Sequence, residues 1–208
     1  MSIKSLTISQ VQKVLDSIYS NALSGIANLS SAEELALEYK NGNYKITEEA
    51  IDALIKYEVL KASSIGLVSN LGGLITMPIS LPTNIASSLF IHLRLTLAIA
   101  YINGQNINSE RIKSIAFATL LGSKGIDLLK EAGVELGKSL AKKAISKISR
   151  ETINRVNQKV GQRFITKFGE KGVINLHKYI PFIGGVVGGT IDGVATFGVG
   201  KVAKKIFN

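Results

Sequence analysis

Ala62-Ser-Ser-Ile-Gly-Leu-Val-Ser-Asn-Leu-Gly-Gly-Leu-Ile-Thr-Met-Pro-Ile-Ser-Leu-Pro-Thr-Asn-Ile-Ala-Ser-Ser-Leu-Phe-Ile-His-Leu93 runs for 32 residues without an Asp, Glu, Lys or Arg, closed on its two sides by Lys61 and Arg94. Surface helices of soluble domains keep charged side chains on their outer face. A run of this length therefore belongs in a protein core, in a bilayer, or in one and then the other. Pro78 and Pro82 divide it. Proline has no N–H to leave unsatisfied and fits the first turn of a helix, so Pro82 opens a second arm that continues to about Ile102 and stops at Asn103-Gly104. In the first arm Gly66, Asn70 and Gly73 recur at intervals of four and three and share a helical face, with Gly72 beside it. Small side chains there let another helix backbone come close. The spacing predicts a helical hairpin over 62–102.

Pro82–Ile102 is long enough to span a bilayer, for which about 20 residues suffice. Its nine Leu, Ile and Phe residues contribute roughly −4 kcal/mol of insertion free energy. Arg94 costs about +3 kcal/mol near a helix centre, and His92 with the Ser and Thr residues removes most of the rest. Insertion balances near zero, and two readings stand. The hairpin lies at the centre of a bundle with Arg94 paired to a carboxylate or a carbonyl, or it leaves the bundle for lipid. His92 and Arg94 are the buried polar candidates of this arm.

Elsewhere apolar residues recur at helical spacing and strand alternation is nearly absent. Ile8, Val11, Val14, Leu15, Ile18, Tyr19 and Ala22 lie on one face. Ser31 and Glu34 form a capping box for a helix through Tyr39. Thr47, followed by Glu48 and Glu49, starts the next helix, with Ala50, Ile51, Leu54, Ile55, Tyr57 and Val59 on its apolar face. Ser109-Glu110-Arg111 starts another, with Ile112, Ile115, Ala116, Leu120 and Leu121 inside. A long amphipathic stretch follows from about Ile126 to Phe168. Beyond Ile180-Pro181, Gly184, Gly185, Gly188, Gly189 and Gly193 make three overlapping G-x-x-x-G steps, with Asp192 among them. Each glycine in an exposed helix costs about 1 kcal/mol against alanine, so this ladder predicts close helix packing in a second neutral hairpin over 180–205. Asp192 opposes plain lipid exposure and is a third buried polar candidate. With no tandem repeat and no linker, the chain reads as one all-α domain, 1–208, bundled around the two hairpins.

The net charge of +10 is uneven. Residues 1–61 hold 6 Lys/Arg and 8 Asp/Glu, a balance of −2; residues 62–137 hold 5 and 4, or +1; residues 138–208 hold 14 and 3, or +11. A localised basic surface points to an anionic partner. Within 136–168, Leu136, Leu140, Ala144, Ile148, Val156, Val160, Phe164 and Phe168 trace an apolar stripe. Lys138, Lys142, Lys147, Arg155, Lys159, Arg163 and Lys167 trace a cationic one. A helix of this kind lies well on an anionic membrane; the other reading is a solvated face that aids solubility. Nucleic acid is a poor fit, because lysine predominates where a groove reader would interleave Asn, Gln, Arg and aromatics.

Catalytic signals are thin. Cys and Trp are absent, which removes disulfides and thiolate zinc sites. Ala132-Gly-Val-Glu-Leu-Gly137-Lys138-Ser139 resembles a phosphate loop, but the chemistry needs a preceding strand, and Ile126–Glu131 reads as helix. His92 and His177 are far apart, and no metalloprotease or nucleophile-elbow motif occurs. The chain reads as non-enzymatic with no cofactor and no metal; an enzyme using His92 and Arg94 is the competing class. Met1-Ser-Ile-Lys-Ser-Leu-Thr-Ile lacks the apolar core of a secretory signal, which predicts a cytoplasmic or peripheral membrane protein and leaves export by a dedicated machine open.

Ser64-x-Gly66, Leu71-Gly72-Gly73-Leu74-Ile75-x-x-Pro78-x-x-Leu81-Pro82, Arg94, Ala98-x-Ala100-Tyr101 and Gly104 together resemble the EcsC family, as do Ile180-Pro181-x-Ile183-Gly184 and Gly188-Gly189. The resemblance spans most of 60–205 and leaves 1–45 outside. Asn84 stands where the family often has an Asp. The resemblance implies a bacterial or bacteriophage origin, an all-helical fold and an uncharacterised activity; the family takes its name from a gene beside a transporter linked to protein secretion.

These features predict a membrane-associated helical protein that binds anionic lipid or an apolar ligand and inserts its hairpins, a description that also suits a pore-forming effector. The alternative is a soluble adaptor or immunity-like protein that binds a protein partner or an apolar ligand; a further copy of the chain, as an oligomer, is another partner open to it.

Overall fold

The computed structural model describes residues 7–26, 29–63, 83–137, 145–169 and 191–208. Among these, eight α-helices and no strand are found. α1 (Ile8–Ser24) begins at a capping box in which the Thr7 hydroxyl accepts from Gln10 N and Gln10 Oε1 accepts from Thr7 N at 2.8 Å. α2 (Ala32–Lys40) begins at the Ser31–Glu34 box, and α3 (Thr47–Ser63) starts at Thr47. α4 (Thr83–Ile102) follows. It ends where Gly104, at φ 75°, lets Gln105 N reach the Ala100 carbonyl and Gly104 N reach that of Tyr101, the paired bonds of a Schellman motif. α5 (Glu110–Thr119) is capped by Ser109. α6 (Ser123–Glu131), α7 (Arg150–Gly169) and α8 (Ile191–Phe207) complete the set.

α4 is the axis of the fold. α1, α2, α3, α5 and α8 all pack against it, and every side chain from Ile85 to Ala100 is buried. A helix apolar all round has to be enclosed, and each Leu, Ile or Phe removed from water contributes about 1.5–3 kcal/mol. One continuous apolar cluster joins residues of all eight helices. The N-terminal α1 and α2 are two of the walls around α4.

α8 runs antiparallel to α3. Gly200 lies against Ile55, Gly193 against Val59 and Ser63, and Lys204 pairs with Asp52 and Glu48. A Cβ on Gly193 would stand 2.1 Å from Ser63 Oγ, and one on Gly200 would stand 2.9 Å from Ile55 Cγ1. These glycines serve close packing inside the molecule. Gly66, Gly72, Gly73, Pro78, Pro82, Gly184, Gly188 and Gly189 lie outside the described residues, as do the turns of both expected hairpins.

Three sequence expectations are corrected. The stretch 126–168 is not one helix. α6 stops at Glu131, Gly133 and Gly137 follow at φ 80° and 73°, and a further break at 147–149 precedes α7, where the Ser149 hydroxyl accepts from Thr152 N at 3.1 Å. Tyr57 is exposed, and Glu58 takes its expected place on the buried face of α3. Leu120 and Leu121 are buried, but in the turn after α5.

Candidate functional site

Glu58 falls four residues after Leu54, three after Ile55 and four before Ala62, so the periodicity of α3 carries it into the core with them. α4 brings Arg94 to the same place. Arg94 Nη2 donates to Glu58 Oε2 at 2.7 Å, each side chain being 1% exposed, and Arg94 Nη1 donates to the Ser30 carbonyl at 3.2 Å. Lys61 Nζ stands 3.7 Å from the other carboxylate oxygen. The single cation of the apolar helix thus has both partners that the sequence allowed, a carboxylate and a carbonyl.

His92 does not join this pair. Its Nε2 lies 3.3 Å from the Thr196 hydroxyl of α8, which donates its proton to the Asp192 carbonyl at 2.8 Å. His92 therefore ties α4 to α8, while Arg94 ties α4 to α3 and to Ser30. Asp192 is half-buried and serves through its backbone; Thr196 is the buried polar residue of α8. As a chemical site the group is closed, since a reactant would have to reach a guanidinium and a carboxylate sealed from solvent and already bonded to each other.

α7 has the opposite polarity. Val156, Val160 and Phe164 are turned into the bundle, where α7 packs on α1 and α5. Of its described cations, Arg150 and Arg155 are exposed and Lys159 is half-buried. Arg155 Nη2 stands 3.4 Å from Glu151, and Lys159 Nζ stands 2.9 Å from Glu131 on α6. The hydrogen bond from Lys159 holds the Glu131 carboxyl below its ordinary value, with Arg163 adding to the effect. Lys147 is exposed and Arg163 half-buried. Lys138, Lys142 and the Lys167 side chain lie outside the described residues. Within 145–208, Lys147, Arg150 and Lys205 are exposed and no described acidic side chain stands at ion-pair distance from them. On α8, burial alone would lower the Lys204 pKa, yet hydrogen bonds to Asp52 at 2.7 Å and to Glu48 raise it above its ordinary value.

An open groove of about 1000 Å³ lies between the end of α1 and α2, lined by Ser24, Leu29, Ser30, Glu34, Leu37 and Glu38. Glu34 is committed to its cap: the Ser31 backbone and side chain hold its carboxyl below the ordinary range. The phosphate-loop lookalike follows helix α6, not a strand, and its Lys138 and Ser139 lie outside the described residues. Among the described residues no group of three or more His, Asp or Glu side chains is placed to hold a metal ion.

Sequence reasoning missed Glu58 and Thr196. Glu58 had a signal, its position on the 51, 54, 55, 62 stripe; Thr196 had none beyond lying on the glycine-rich helix. One segment among the described residues, Ile85–Ile102, is long and apolar enough to cross a membrane, with a mean hydropathy of 1.7, and 94% of it is buried inside the protein. Set against known proteins, the chain matches no family model, no curated protein and no solved structure.

Proposed function

We propose that this protein is a non-catalytic helical bundle that docks on anionic lipid surfaces and carries α4 as the segment able to enter the acyl region. The observation that carries the proposal is the polarity of α7. Val156, Val160 and Phe164 are spent inside the bundle, while Arg150 and Arg155 are exposed and Lys159 and Arg163 half-buried, within a third of the chain whose net charge is +11. Isolated surface ion pairs add little to stability, so the bundle itself does not call for such an excess. Near an anionic surface each Lys or Arg contributes about 1 kcal/mol, and three outward cations already give a measurable affinity. α4 supports the second half through its length and uniform apolarity. Arg94 is the obstacle to insertion, and its Glu58 partner neutralises it within the bundle. The EcsC-like motifs fit an envelope role; of their residues, Arg94 makes this ion pair and Gly104 terminates α4.

Co-sedimentation of the full chain with neutral vesicles and with mixed neutral and anionic vesicles, at low and high salt, tests the docking. The proposal expects pelleting on the anionic vesicles only, weakened by salt because exposed charges are screened. Pelleting that ignores lipid charge, or none on any vesicle, contradicts it. Release of an encapsulated dye reads insertion and pore formation. The groove between α1 and α2 favours a second reading, an adaptor for a protein with a basic segment that meets Glu38; that function would proceed without lipid.

A further inference from the structure

Large apolar side chains exposed among the described residues are few, and Tyr44, Tyr57 and Leu60 share one region. Tyr44, Ile46, Tyr57 and Leu60 are 40%, 56%, 46% and 60% exposed. Tyr39 stands between two of them, its ring stacked at 6.2 Å on that of Tyr44 and 6.4 Å from that of Tyr57. Tyr57 and Leu60 are three residues apart on α3 and therefore neighbours on one face. A fifth, Val194, lies on α8. Scattered exposed apolar residues need no explanation, but a contiguous patch marks an interaction surface.

The charges around this ledge decide what it meets. Lys61 Nζ lies 4.5 Å over the Tyr57 ring, and Lys56 is exposed beside it. Of the acids near it, Glu38 on α2 and Glu49 at the start of α3 are exposed, and the rest of those on α3 are paired with cations. Glu58 is buried with Arg94, Asp52 and Glu48 hold Lys204, and Glu49 accepts from Lys45 N at 3.0 Å. The outward charge along the last two turns of α3 is therefore cationic. Tyrosine rings flanked by lysines and branched aliphatic side chains suit the boundary of a bilayer: the ring lies at headgroup level with its hydroxyl in water, and the ammonium reaches lipid phosphate.

We infer that this Tyr-Leu ledge on α3 is the face by which the protein seats itself in the headgroup region of an anionic bilayer. The inference rests on the lipid-docking reading above and adds which side goes down. Lys56 and Lys61 hold the ledge to lipid phosphate, and its rings and aliphatic side chains supply depth.

The chain contains no tryptophan, so Tyr57→Trp creates a single reporter at an exposed position, and Gln158→Trp on the exposed side of α7 is its control. Both full-length variants are mixed with anionic vesicles carrying brominated acyl chains. The emission of Tyr57→Trp is expected to shift to the blue and to be quenched several-fold more than that of Gln158→Trp. The double variant Tyr57→Asp, Leu60→Asp is expected to partition at least about tenfold less with an unchanged circular dichroism spectrum. Pelleting with an unaltered Tyr57→Trp emission overturns the ledge and leaves the lipid reading standing. Absence of pelleting on every vesicle removes both. A blue shift that grows with protein concentration in buffer alone assigns the ledge to a second copy of the chain and overturns the inference.

Discussion

α4 and α7 solve opposite problems with the same number of residues. α4 is apolar on every side, and its one cation is sealed against Glu58. α7 is rich in cations, and its Val156, Val160 and Phe164 are sealed in the bundle, where it packs on α1 and α5. Charge in α4 is an internal matter: a buried guanidinium left without its carboxylate is an uncompensated ion in a low-dielectric core. Charge on α7 is an external matter, screened by water and salt and worth little to the fold. The contrast separates what holds this protein together from what it presents to a partner.

The sharpest way to break the comparison is at the ion pair. Glu58→Ala should destabilise the protein by about 3–5 kcal/mol in chemical denaturation. Replacing both partners with apolar residues, Glu58→Leu with Arg94→Met, should recover most of that loss; a double variant as unstable as the single one would show that the pair does more than neutralise itself. Next in size is the contact between α3 and α8. Gly200→Val forces atoms onto Ile55, itself 2% exposed, where a Cβ alone already stands 2.9 Å from the nearest carbon. A loss of about 1–3 kcal/mol is expected from such overpacking, against almost none for Gln158→Ala on the exposed side of α7. The smallest effect concerns pH. The folded Glu131 carboxyl lies below its ordinary value of 4.5 because of Lys159, so its contribution is present above about that pH and is lost as pH falls through the folded value. The stability gap between wild type and Lys159→Ala should therefore close on acidification, as followed by the denaturation midpoint from neutral pH downward.

Much of the fold was legible because helix ends carry local signals. The Ser31–Glu34 box, Thr47, Ser109 and Asn103-Gly104 mark boundaries that the structure keeps, and of the two readings of the uncharged run its second arm takes the buried one. Periodicity misled where it survived a break. Apolar residues four apart continue across 136–168 although Gly133 and Gly137 turn the chain and Ser149 caps a fresh helix. The candidate site was half legible. Arg94 in an apolar helix announced that a partner must exist, but the choice of Glu58, 36 residues away, depends on how α3 lies on α4. The same dependence exchanged Tyr57 for Glu58 on the buried face: a reading by residue type puts the ring inside, whereas the angular position puts the carboxylate there.

The separation of a charge-indifferent core from a charge-driven surface is tested most directly by one variant, Lys147→Gln with Arg155→Gln and Lys159→Gln, compared with wild type for melting temperature and for partition onto mixed neutral and anionic vesicles. The account predicts a melting temperature within roughly 4 °C of wild type and at least about tenfold weaker partition, from the loss of three cations near the lipid surface. Unchanged partition, or a collapse in stability as large as that of Glu58→Ala, would contradict it.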